Sequence, residues 1–143
     1  MSKRHDRERG ANLVEFALIA PLLLAILFGI IDFGWILSQH QDVRHGTREA
    51  ARLAAVSTAD GATMAGLVCD AMQTSNGAIV TFSRGAATVG STATVTLAAP
   101  VGTLTGFSSL PFVGALYPTT FTESLTFRLE QAATWTNGSG GTC

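Results

Sequence analysis

The feature that most constrains this chain is a run of 27 residues, Ala11 to Leu37, that is almost wholly apolar. Only Asn12, Glu15, Pro21 and Asp32 interrupt it, and Phe16 to Ile31 carry no charge at all. As a helix the run is about 40 Å long, against a hydrocarbon core about 30 Å thick. A rod apolar on every side needs either lipid or a large protein around it, and 143 residues supply little cover. The spacing therefore predicts a transmembrane helix over residues 11–37, with a buried helix of a soluble protein as the competing reading. Glu15 and Asp32 are seventeen residues apart. That is about 25 Å along a helix, so each acid sits near one edge of the hydrocarbon and neither at its centre. Phe33 and Trp35 fit an aromatic belt at the interface, and Pro21 can bend the rod without breaking it in a membrane. A secretory signal peptide is the rival, but its apolar core is shorter and closes on small residues, which this run does not do.

Charge divides the chain into two materials. Residues 1–56 hold seven basic and six acidic residues; residues 57–143 hold two and four, in a background of Thr, Ser, Ala and Gly. The charged share is 13% and the net charge −1, which excludes a disordered charged tail and a basic nucleic-acid binder. Four basic residues precede the apolar run, while Arg44, Arg48 and Arg52 follow it. The charge bias thus gives only a slight preference for a cytoplasmic N-terminus.

The most specific local signal is Arg9-Gly10-Ala11-Asn12-Leu13-Val14-Glu15-Phe16. A charged leader ends in glycine, an apolar helix starts, and a carboxylate follows five residues after the glycine. This resembles the processing site of type IV prepilins, where a membrane peptidase cuts after the glycine. By that resemblance the leader is 1–10, the cut falls between Gly10 and Ala11, and Glu15 becomes the fifth residue of the mature chain. A carboxylate in the apolar phase is costly. The new ammonium group at Ala11 would neutralise it within a chain or between subunits, giving Glu15 a role in subunit docking. The plainer alternative is a Glu15 that snorkels to the surface.

Further on, Pro21-Leu22-Leu23-Leu24, Phe28-Gly29-Ile30-Ile31-Asp32-Phe33-Gly34 and Thr47-Arg48-Glu49-Ala50-Ala51-Arg52-Leu53-Ala54-Ala55 follow in order. Together with the junction they resemble the opening of TadE-like proteins, over residues 9–56. TadE-like proteins, with TadF as a sister group of the same layout, are pseudopilins of the tight-adherence (Flp, type IVc) pilus. The resemblance implies a minor pilin needed for pilus assembly, surface adhesion and biofilm formation. It implies a prepilin peptidase, other Tad pseudopilins with the assembly machinery, and inner-membrane lipid as partners. It also implies a single-pass inner-membrane location. No cofactor and no nucleic acid enters. The alternative is an uncleaved bitopic membrane protein whose outer domain binds an envelope partner or ligand.

Residues 38–56 read as a helix extension. Two ridges of small residues, Gly46-Ala50-Ala54 and Thr47-Ala51-Ala55, line either the domain's own core or a partner helix. His40, His45 and Glu49 invite a metal reading, but nothing completes a ligand set. Residues 57–143 read as an extracytoplasmic α+β domain. The expected elements are a short helix over 62–73, strands over 79–82, 91–97 and 121–129, and a flexible glycine-rich tail from Asn137. Leu125, Phe127 and Leu129 should share a face of the last strand. The segment from Pro100 to Pro118 is loop-like yet apolar (Leu104, Phe107, Leu110, Phe112, Val113, Leu116, Tyr117). Core is its default reading, with a membrane-surface wedge or a partner-docking surface as alternatives. Cys69 and Cys143 lie on the proposed outer side, where they can form a disulfide or remain two thiols. Sequence motifs for a catalytic zinc, serine or nucleotide site are absent, and 57–143 has no histidine. The chain reads as a non-enzyme.

Overall fold

The computed structural model describes residues 3–143, with side chains from Asn12 onward except that of Phe107. The fold is α+β: one long apolar helix followed by a small antiparallel sheet. Helix α1 runs Lys3–Val56, 54 residues or about 81 Å, and passes Pro21 without interruption. It starts earlier than the sequence suggests, taking in Lys, Arg and Glu residues ahead of the apolar run, which are good helix formers. Its far end is capped from outside. The N–H groups of Glu130 (2.9 Å) and Gln131 (3.3 Å) donate to the carbonyl of Ala55.

Helix α2, Gly61–Ala71, lies within two residues of its predicted span. Asp60 caps it by accepting the N–H of Thr63 at 2.8 Å, and that bond holds the Asp60 carboxyl below its usual range. Four strands follow: β1 (Ile79–Arg84), β2 (Thr92–Pro100), β3 (Thr120–Arg128) and β4 (Ser139–Thr142). They form one sheet in the order β3-β2-β1-β4, antiparallel throughout. Alternation along β2 sends Ala93, Val95, Leu97 and Ala99 inward and leaves Thr94 and Thr96 on the outer face. On β3, Phe121, Glu123, Leu125 and Phe127 share the face turned to α1, as the sequence predicts for Leu125 and Phe127. α1 covers the β2–β3 half of the sheet and α2 the β1–β4 half. Between them lies a core of Val43, Met64, Val68, Phe82, Leu97, Leu129 and Trp135.

The tail reverses its prediction. Residues 139–142 are a fourth strand rather than a flexible end, paired to β1 from Ile79↔Thr142 to Phe82↔Ser139. Cys143 continues the ladder, donating its N–H to Ala78 at 2.7 Å and accepting that of Gly77 at 3.2 Å. A disulfide joins Cys143 to Cys69 on α2. Two of the glycines read as flexibility, Gly140 and Gly141, are clearance instead. A Cβ on Gly140 would overlap the carbonyl oxygen of Val80, and one on Gly141 would press on Ala65 at 3.2 Å.

Candidate functional site

The side of α1 that meets the domain can be read residue by residue. Asp32, Ile36, Gln39, Val43, Thr47, Ala50 and Ala54 are buried and recur three or four residues apart, one stripe of a helix. From Asn12 to Ile31 no side chain is buried. The buried stripe therefore begins at Asp32, and the groove beside it reaches down to Gly29. The small-residue ridges resolve in favour of the chain's own core: Ala50, Ala51 and Ala54 join it, and Gly46 sits against Met72 and Leu97.

Three polar side chains on α1 grip loops by their backbones. The Asp32 carboxylate accepts the N–H groups of Leu104 (3.1 Å) and Thr105 (2.9 Å) and the Thr105 hydroxyl (2.6 Å). Two turns on, Gln39 pairs with Gly102 in both directions, donating at 2.7 Å and accepting at 2.9 Å. Asp42 accepts from the N–H groups of Gln73 (3.1 Å) and Thr74 (2.8 Å) and from the Thr74 hydroxyl (3.0 Å), tying down the end of α2. Partial burial works to raise the Asp42 pKa, but these donors outweigh it and hold the carboxyl below its usual range. Asp32 is wholly covered, yet its cover is only one loop thick.

That loop, residues 101–119, carries two short 3₁₀ turns, Phe107–Ser109 and Gly114–Leu116. Its described apolar side chains are not core, against the default expectation; the Phe107 side chain lies outside the described residues. Leu104 and Leu110 are exposed, Phe112 is 92% exposed and Leu116 82% exposed. A loop clamped to one helix from the edge of the sheet has no second layer to bury them. Phe112 also holds φ at 74°, a left-handed conformation that β-carbon crowding disfavours.

Between loop and helix runs a groove of about 470 Å³, lined by Gly29, Phe33, Ile36, Leu37, His40, Leu116, Tyr117, Pro118 and Phe121. His40 closes its upper end, stacked on Phe121 with ring centroids 4.7 Å apart and 3.0 Å from Glu123. His45 is exposed, and no cluster of three metal-ligating side chains occurs among the described residues.

Of the predicted site residues, Cys69 and Cys143 are joined. Glu15 is exposed on the uncovered part of α1. Gly10 and Ala11 fall within the α1 backbone, while the side chains of residues 1–11 lie outside the described residues. Among the described residues one helix, containing Asn12–Val56, is long and apolar enough to cross a membrane. Residues 10–52 match the TadE-like protein family. The match opens at the glycine of the predicted junction, spans the bare segment and the stripe as far as Arg52, and stops short of the sheet. No curated protein and no solved structure matches the chain. The TadE-like segment points to a component associated with the tight-adherence pilus.

The sequence reading missed the clamp. It took Asp32 as an acid at the lipid edge, whereas the side chain is turned into the loop. The available signal was Asp32-Ile36-Gln39-Val43, a stripe that starts on polar residues. Removing the clamp gives a direct test. Asp32→Ala strips one acceptor group from two N–H donors and a hydroxyl and should free the loop. Chymotrypsin cleavage within 101–119, followed by mass spectrometry, is expected to run on the order of tenfold faster. Asp32→Asn, which keeps one acceptor oxygen, should fall between. An unchanged rate in Asp32→Ala would show that Asp32 is not what secures the loop.

Proposed function

We propose that this chain is a minor pilin, or pseudopilin, of the tight-adherence pilus, matured by prepilin peptidase cleavage after Gly10 and needed for pilus assembly. In this role it supports surface attachment and biofilm formation and has no enzymatic activity. The single observation that carries the reading is the TadE-like match, which opens at Gly10 and includes Glu15. The architecture supports it: a bare apolar segment joined through one continuous helix to a small sheet domain is a layout suited to lateral packing of helices. The chain sits in the inner membrane with its leader in the cytoplasm and the sheet domain outside. There an oxidising environment suits the Cys69–Cys143 bond. Its partners are the peptidase and other Tad pseudopilins.

Glu15 acts in docking by a charge argument. An uncompensated carboxylate facing lipid costs several kcal/mol, so an ammonium group at a freshly cut Ala11 favours a packed neighbour over a lone helix. The test pairs two variants in a host with an active prepilin peptidase. Wild type should lose residues 1–10, read by intact mass and N-terminal sequencing. Gly10→Val, which puts a branched side chain at the scissile position, should keep the leader and abolish pili. Glu15→Val should still be cleaved yet leave the cells bald. Normal piliation by the uncleaved variant would overturn the reading and leave an uncleaved membrane-anchored domain.

A further inference from the structure

The 101–119 loop lies at the wrong height to be an ordinary surface loop. Its place along α1 is fixed by contacts. Leu116 and Tyr117 share the groove with Gly29 and Phe33, and Leu104 and Thr105 bond to Asp32. Phe121, at the start of β3, has already climbed to His40, and Leu125 lies near Arg48. β3 therefore leads away from the bare segment of α1, and the loop hangs from the end of the sheet nearest that segment.

Helix arithmetic turns this into a depth. With Glu15 at one edge of the hydrocarbon, about twenty residues of helix cross about 30 Å, and the other edge falls near Trp35. Gly29 to Phe33 then lie about 3–9 Å inside that edge. The loop beside them occupies the same slab.

Its chemistry suits that place. From Gly85 to Thr122 the sequence contains no Asp, Glu, Lys, Arg or His. Leu104, Leu110, Phe112 and Leu116 turn outward. Phe112 does so from a left-handed backbone, a conformation that persists only where surroundings or function hold it. Along α1 the groove's wall is apolar from Gly29 to Leu37 and turns polar at His40, which pairs with Glu123, where the headgroup region would begin. Asp32 would otherwise face acyl chains at this depth. It is covered by the loop and satisfied by the loop's donors, as an intramembrane carboxylate must be.

We propose that residues 101–119 form a membrane-inserted wedge, lying among the acyl chains of the leaflet on the domain side, against their own helix and sealing Asp32 from lipid. The occupant of the exposed apolar face is thus the bilayer that α1 crosses, by continuity with the uncovered helix surface below it. The inference rests on reading α1 as a membrane span, and the experiment tests that reading separately.

Single cysteines are placed in the full-length protein, with the Cys69–Cys143 bond kept oxidised, and labelled with an environment-sensitive fluorophore. The sites are Leu24 in the span, Leu116 and Leu104 in the loop, and Val89 in the turn at the opposite end of the sheet. Labelled protein is reconstituted into phosphatidylcholine–phosphatidylglycerol vesicles brominated near the headgroup or near the bilayer centre. Bromines near the headgroup are expected to cut the Leu116→Cys and Leu104→Cys signals about twofold, the depth of an interfacial apolar segment. They should leave Val89→Cys unchanged, and central bromines should quench Leu24→Cys. If the Leu24 label is quenched while both loop labels behave like Val89, the span stands and the wedge falls. Loop labels that shift to the blue without quenching mark a protein contact, such as a second copy, and also overturn the wedge. An unquenched Leu24 label overturns the span and the wedge together.

Discussion

Replacing Cys69 and Cys143 together with alanine is expected to lower the unfolding free energy of the sheet domain by about 4 kcal/mol. The bond spans 74 residues of sequence, nearly the whole domain, so the unfolded chain gains the freedom of a long open loop when it is lost. On the folded side, β4 has four residues at the sheet edge and two glycines among them, so little side-chain packing holds it once the covalent tie is gone. Denaturant titration in detergent, followed by the fluorescence of buried Trp135, should show the midpoint fall in the double variant. Wild type under reductant should fall by a similar amount. Coincident midpoints would mean that the ladder, not the bond, secures the tail.

The second large effect is expected from a single methyl group. In Gly140→Ala the new Cβ overlaps the backbone carbonyl oxygen of Val80, and the φ of 157° at this position disfavours any side chain. The oxygen belongs to the backbone of β1, paired on both sides, and cannot swing aside as a flexible side chain would. Either β4 peels away or β1 distorts, at a cost of about 3 kcal/mol. Gly66→Ala is the matched control. Gly66 lies in α2 with open space around its Cα, and alanine there should raise stability by up to about 1 kcal/mol. The same titration reads both, and a harmless Gly140→Ala would remove the steric reason for glycine in β4.

Much of the fold was legible because it rests on local patterns. The apolar run, the four-residue recurrence of small residues from Gly46 to Ala55, and the Thr-Val-Thr-Leu alternation each declare one element. The tail was misread because glycine has two uses, freedom and clearance, and only the proximity of Val80 and Ala65 says which applies. The loop was misread because an apolar segment is buried only if the fold has something to lay over it. The Asp32–Thr105 clamp joins residues 73 apart, and no spacing rule reaches that far. The proposed junction at Gly10 is of the opposite kind, since it rests on a short linear stretch, and it is the leader-cleavage experiment that tests it.

The helix also sets the mechanics of the molecule. α1 is unbroken from the bare segment to Val56, and its upper half is fastened along one stripe to loop, sheet and second helix. Above Pro21 the helix has no proline or break as far as Val56, so a tilt of the segment just below Asp32 carries the sheet domain with it. The tilt of that segment therefore also sets the direction in which the threonine-bearing face of the sheet looks.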